Sequence, residues 1–225
     1  MLTKPLNKYF DHTLLKPTAT TEDIKKLCAE AKEYDFYSVC VNGCYVETAC
    51  AELADTDVKV AAVIGFPLGG MSMDAKIDET CDVCEKGASE VDMVLNIGAL
   101  KEGRFGYVQD EIACCVAAAD EYDAIVKVIL ETCCLTDSEI AKACELAVAA
   151  GAEFVKTSTG FGGSGATARH VALMRASVGN LASVKASGGI RDLDTCLEMI
   201  EAGADRIGAS ASVAIMQEYK KSARP

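Results

Sequence analysis

Short runs of aliphatic and β-branched residues alternate along the chain with longer stretches in which apolar residues recur every three or four positions. The runs lie near residues 8–14, 36–42, 58–64, 90–96, 124–130, 153–157, 182–187 and 205–208. They are short, rich in Val and Ile, and read as parallel strands buried on both faces. The stretches between them read as amphipathic helices. "TTEDIKKLCAEAKEY" opens on a capping Thr with acids in its first turn, and "TDSEIAKACELAVAAG" opens on Thr-x-x-Glu and stops on Gly.

A weak internal repeat accompanies this alternation. Residues 86–98, 150–160 and 202–210 share one plan: a helix ends on Gly, a short polar link follows, and a strand breaks into Gly or Ser. The spacing between the copies corresponds to a period of about 26 to 32 residues, the size of one βα unit. Eight such units predict a (β/α)8 barrel as a single domain over residues 1–225. An open doubly wound sheet fits less well, because eight strands are counted and no Gly-x-Gly-x-x-Gly follows the first.

Strand side chains alternate between faces. Asp92, Val94 and Asn96 share one face of their strand; so do Lys127, Ile129 and Glu131, Phe154, Lys156 and Ser158, Ser183, Lys185 and Ser187, and Asp11, Thr13 and Leu15. Met93, Val155 and Val184 then face the helices, so Asp11, Asp92, Lys127, Lys156 and Lys185 are expected inside the barrel. One interior charge tied in an ion pair needs no function, and a purely structural network is the competing reading. Five near the C-terminal ends of strands, where barrel sites form, point to chemistry. Lys156 and Lys185 end neighbouring strands. A free lysine holds its proton far above neutral pH, but burial beside a second cation frees the amine for attack on a carbonyl. The resulting iminium is an electron sink, and a carboxylate such as Asp92 can move protons beside it.

Three glycine-bearing loops follow the last strands: "STGFGGSG", "SGGI" and "GASAS". Backbone N–H groups in such loops can hold a phosphate, although none has the Gly-Lys-Ser/Thr ending of a nucleotide loop. The net charge of −12 argues against nucleic acid as partner. No apolar run is long enough to span a bilayer and the start has no secretory pattern, so a cytoplasmic protein without membrane contact is expected. The 12 cysteines fit neither a zinc spacing nor a disulfide framework; Cys28, Cys81, Cys84, Cys144 and Cys196 fall in helical patterns as small apolar residues. No metal and no cofactor are expected.

Taken together, "DHTLLKPTAT" (11–20), "VCVN" (39–42), "VIGFPLG" (63–69), "EVDMVLNIGALKEG" (90–103), "KVILET" (127–132), "GAEFVKTSTGF" (151–161), "VKASGGIR" (184–191) and "RIGAS" (206–210) resemble the deoxyribose-phosphate aldolase family over almost the whole chain. The resemblance implies a metal-free class I aldolase on a (β/α)8 barrel. Such an enzyme cleaves 2-deoxy-D-ribose 5-phosphate reversibly to D-glyceraldehyde 3-phosphate and acetaldehyde, in deoxynucleoside breakdown. It implies a Schiff base on Lys156, with Lys185 lowering its pKa and Asp92 shuttling protons. It places phosphate at Gly160, Gly188, Gly189, Gly208 and Ser210, with Asp11, Thr13 and Lys127 as supporting polar residues at the substrate. A homodimer or higher homo-oligomer is left open. The chain departs from the pattern at Gly43, where Pro is usual, at Ala211, where some relatives have a second serine, and at Phe161, where some have lysine. Backbone rather than side-chain charge is therefore expected to hold phosphate at Phe161. Some relatives end in a tail with a helpful tyrosine; here Tyr219 precedes "KKSARP". A Schiff-base aldolase for another aldehyde, an isomerase without an imine, and a phosphometabolite-binding barrel are the competing readings.

Overall fold

The hydrophobic runs form β1 (Phe10–Leu14), β2 (Ser38–Asn42), β3 (Lys59–Ile64), β4 (Glu90–Val94), β5 (Ile125–Ile129), β6 (Phe154–Lys156), β7 (Ser183–Ser187) and β8 (Arg206–Ala209). In the computed structural model, which describes residues 2–222, these strands pair in chain order, all parallel, and β8 closes onto β1. The expected (β/α)8 barrel is the observed fold. Seven of the strands are shorter than their hydrophobic runs, and β8 keeps its four residues but is shifted by one. Leu6–Tyr9 form a 3-10 turn ahead of β1, and β6 stops at Lys156, where the chain turns toward the glycine loop.

Helices α1 (Thr21–Tyr34), α2 (Val46–Leu53), α3 (Met73–Glu85), α4 (Ile97–Lys101), α5 (Phe105–Asp120), α6 (Asp137–Ala149), α7 (Ala168–Val178), α8 (Leu193–Glu201) and α9 (Ser212–Ser222) lie between and after the strands. Thr20 with Asp23, and Thr136 with Glu139, close reciprocal caps at the starts of α1 and α6. None of the helices among the described residues is long and apolar enough to cross a membrane.

The main core lies between barrel and helices. Val39, Val41, Ala62, Ile64, Val91, Met93, Val126, Val128, Val155 and Val184 pack there against helix residues such as Ile112, Cys144 and Met174. Cys28, Cys84, Cys144 and Cys196 belong to this core, whereas Cys81 is half-buried; all twelve cysteines are free. Burial pushes the Cys144 and Cys196 thiols up to about 12, which keeps them as inert apolar side chains. The barrel interior is different. Leu15, Cys40, Ala61 and Val63 make a small apolar cluster beside Phe66, and the interior also holds seven buried charged residues, Asp11, Glu90, Asp92, Lys127, Lys156, Lys185 and Arg206.

Candidate active site

Strand register brings the charged residues together. Lys156 on β6 is directly opposite Lys185 on β7, and Asp92 on β4 is opposite Lys127 on β5. All four side chains point inward and are buried. Asp92 stands at the centre. Its Oδ1 accepts from Lys127 Nζ at 2.7 Å; its Oδ2 accepts from Lys156 Nζ at 2.7 Å and from Lys185 Nζ at 2.8 Å. Lys185 also donates to Asp11 Oδ2. The other Asp11 oxygen accepts from Arg206 at 2.6 Å, and Glu90 pairs with Lys127 at 2.6 Å and with Arg206 at 3.3 Å. The Arg206 guanidinium stacks over the Tyr37 ring at 3.5 Å.

The charges in this network do not balance. Lys127, Lys156, Lys185 and Arg206 face three carboxylates, Asp11, Glu90 and Asp92. One cation is in surplus, and the partners decide which. Lys127 and Lys185 each hold two carboxylates, and Arg206 holds two; Lys156 has one, which it shares. Burial, helped by repulsion from Lys185, lowers the Lys156 pKa from its ordinary value against the pull of Asp92. Burial also disfavours charge on Lys185 and Lys127, but Asp11 and Asp92 outweigh it for the first, and Asp92 and Glu90 for the second, so both are raised. Burial alone would raise Asp92; the lysines around it hold it well below the usual carboxylate range.

Lys156 is also the member of this network that reaches the open end. A cavity of about 340 Å³ at the C-terminal mouth is lined by Lys156, Thr13, Leu15 and three loops carrying Gly160, Gly188, Gly189, Gly208 and Ser210. Among the described residues, the backbone N–H groups of Gly160, Gly188, Gly189 and Ser210 donate to no acceptor in the protein. Unused N–H groups from three loops around one cavity are the groups from which an anion cradle can be built. The loops after β6 and β7 touch closely: a Cβ on Gly165 would lie 2.0 Å from the Gly188 carbonyl oxygen, so only glycine fits. Thr157 and Ser187 lock the two strand ends, each side chain bonding the other strand's backbone or its neighbour.

Asp11 and Lys127, expected at the substrate, stand behind the cavity wall, fully buried in the ion network, and Thr13 of that group lines the cavity. Several residues of the site were not anticipated. Glu90 shares its face with Asp92 by simple alternation and could have been read. Arg206 sits in a four-residue strand whose register is visible only through its pairing with Lys185. Lys16 and Arg191 are among the residues lining the cavity beside the glycine loops, so two basic residues stand at its mouth on loops other than that of Phe161. Phe161 itself is half-exposed and meets Phe66 edge-on at 5.3 Å. Tyr219 lies on α9, partly buried against the core.

An amine short of a partner, buried beside a second cation and open to an anion cradle at a barrel mouth, defines the class: a (β/α)8 enzyme with carbonyl chemistry at a lysine. Comparison with known proteins makes the assignment specific. Residues 6–218 match the sequence model described as DeoC/LacD family aldolase, and the chain belongs to that family. It is 57% identical over 215 residues to the deoxyribose-phosphate aldolase of Caldanaerobacter subterraneus subsp. tengcongensis, covering 95% of this chain and 93% of that protein. It is 59% identical over 213 residues to the enzyme of the same name from Alkaliphilus oremlandii, covering 95% and 96%. The tetrameric deoxyribose phosphate aldolase structure from Aeropyrum pernix superposes with a TM-score of 0.90 at 35% identity, over 96% of this chain and 91% of that one.

Proposed function

We propose that this chain cleaves 2-deoxy-D-ribose 5-phosphate reversibly to D-glyceraldehyde 3-phosphate and acetaldehyde through a Schiff base on Lys156. The observation that carries this reading is the surplus cation: four basic groups face three carboxylates, and the one with a single shared partner is the one that lines the cavity. Neutral Lys156 Nζ adds to C1 of the open-chain sugar, and the carbinolamine loses water to give the iminium. The C3 hydroxyl then gives up its proton, the C2–C3 electron pair moves into the iminium, and glyceraldehyde 3-phosphate leaves. The enamine left on Lys156 takes a proton at C2, and water releases acetaldehyde and the free amine.

Asp92 rests ionised, because the lysines around it hold it well below the usual carboxylate range. It therefore stabilises the positive charge that forms on Lys156 with the iminium, and it takes up and passes on protons between Lys156 and Lys185. Lys185 rests protonated and supplies the positive field beside Lys156. Asp11 and Lys127 act through this network by fixing Lys185 and Asp92. The free N–H groups of Gly160, Gly188, Gly189 and Ser210, with Lys16 and Arg191, hold the phosphate; Gly208 lines the same cavity, and a Cβ there would lie 3.0 Å from Lys185 Cε and Ser187 Cβ. Because the Aeropyrum pernix protein is tetrameric, we extend homo-oligomeric assembly to this chain; light scattering at one subunit mass would refute that extension.

The mechanism is tested by incubation with acetaldehyde followed by borohydride. Peptide mapping should find a reduced two-carbon adduct on Lys156, and Lys156→Ala should lose both adduct and cleavage. Cleavage retained in Lys156→Ala would remove the imine.

A further inference from the structure

Glu131 lies in the "KVILET" motif two residues beyond the end of β5, yet it belongs to neither the ion network nor the cavity lining. Its backbone is left-handed, at φ 55° and ψ 62°, a conformation that costs energy for a side chain other than glycine, asparagine or aspartate. Its side chain is buried, 4% exposed. The carboxylate accepts the Thr159 N–H at 3.2 Å on Oε1 and the Thr159 hydroxyl on Oε2. The same hydroxyl oxygen then accepts the Phe161 N–H at 3.0 Å. Thus a strained residue after β5 holds both donors of the residue before Gly160, its N–H and its hydroxyl, and through Thr159 the residue after it. The loop also packs on the clamp from the other side: a Cβ on Gly162 would lie 3.0 Å from Glu131 Cδ and 3.0 Å from Cys133 Sγ.

Gly160 is the residue between these two anchored positions, and its own N–H is left for the cavity. We infer that Glu131 is a positioning residue for the anion cradle: its carboxylate clamps Thr159 so that the Gly160 N–H is presented to the substrate phosphate. The left-handed backbone of Glu131 is what turns the carboxylate from the barrel axis toward the neighbouring loop. A carboxylate so close to a phosphate would repel it if free; engaged by two donors and buried behind the loop, it is spent on the loop.

This inference rests on the phosphate reading of the cavity, and the experiment separates the two. The wild-type enzyme is assayed first on 2-deoxyribose 5-phosphate and on unphosphorylated 2-deoxyribose; equal efficiency would overturn the phosphate reading itself. Given a preference, Glu131→Ala should raise KM for the phosphorylated sugar, and the inhibition constant of inorganic phosphate, about tenfold, the size of one charge-assisted hydrogen bond. The unphosphorylated sugar should lose far less, the pH profile of borohydride trapping on Lys156 should hold its midpoint, and Glu131→Gln, which keeps one acceptor, should fall between. If Glu131→Ala does not fold, Thr159→Val, which removes the hydroxyl and keeps the shape, should give the same split. Equal losses on both sugars, or an unchanged phosphate inhibition constant in the folded variant, would overturn the clamp.

Discussion

Replacing Lys185 with leucine tests the electrostatic core of the proposed mechanism. Both Lys156 Nζ and Lys185 Nζ bond to Asp92 Oδ2, at 2.7 and 2.8 Å, so the two nitrogens lie no farther apart than about 5.5 Å. At that distance, with an effective dielectric constant of about 20, two unit charges repel by about 3 kcal/mol. That repulsion corresponds to about two pH units in the titration of Lys156. Lys185→Leu also leaves three cations facing three carboxylates, so the surplus that expels a proton from Lys156 disappears. The alkaline rise of adduct formation should therefore move up by about two pH units, and trapping near pH 7 should slow by roughly a hundredfold. The assay is the rate of borohydride-trapped acetaldehyde adduct on Lys156, by mass spectrometry, across a pH series. A rate profile that keeps its midpoint, or moves toward lower pH, would refute the reasoning, since no field from Lys185 would then act on Lys156.

Three further outcomes follow from the same network and cavity. Asp92→Asn leaves Lys127, Lys156 and Lys185 with no central carboxylate, which should destabilise the fold by about 3–5 kcal/mol, or roughly 10 °C in melting temperature for a chain of this length. Lys156→Leu removes the surplus cation and should melt at or above the wild-type temperature, the stability cost of a site built for reaction; equal losses in the two variants by calorimetry would dismiss the charge imbalance. For the cradle, Lys16→Ala and Arg191→Ala should each raise KM for 2-deoxyribose 5-phosphate about three- to tenfold at low ionic strength, with the gap narrowing in high salt. Steady-state kinetics at two salt concentrations check this, and a salt-independent effect would mean the cations do not face phosphate.

The barrel was legible from alternation and repeat length because both are local: a strand buried on two faces must be short and apolar, and a helix covering it must repeat every three to four residues. The inward aim of Asp92, Lys127, Lys156 and Lys185 followed from the same two-residue period. Strand register is not local. Whether Lys156 stands beside Lys185, or one step away, depends on how β6 and β7 slide when the barrel closes, and that contact sets the field on the amine. The charge count likewise needed Glu90 and Arg206, which come from opposite sides of the barrel. Which side chains reach the cavity was decided by loop paths: the β1 and β7 loops bring Lys16 and Arg191 to the cradle, where the loop after β6 offers Phe161. The amino-acid order alone therefore determined which residues face inward and what chemistry their types permit. Closure of the barrel decided which of four buried cations is left without its own counter-ion, because only the assembled interior brings every charge within reach of every other.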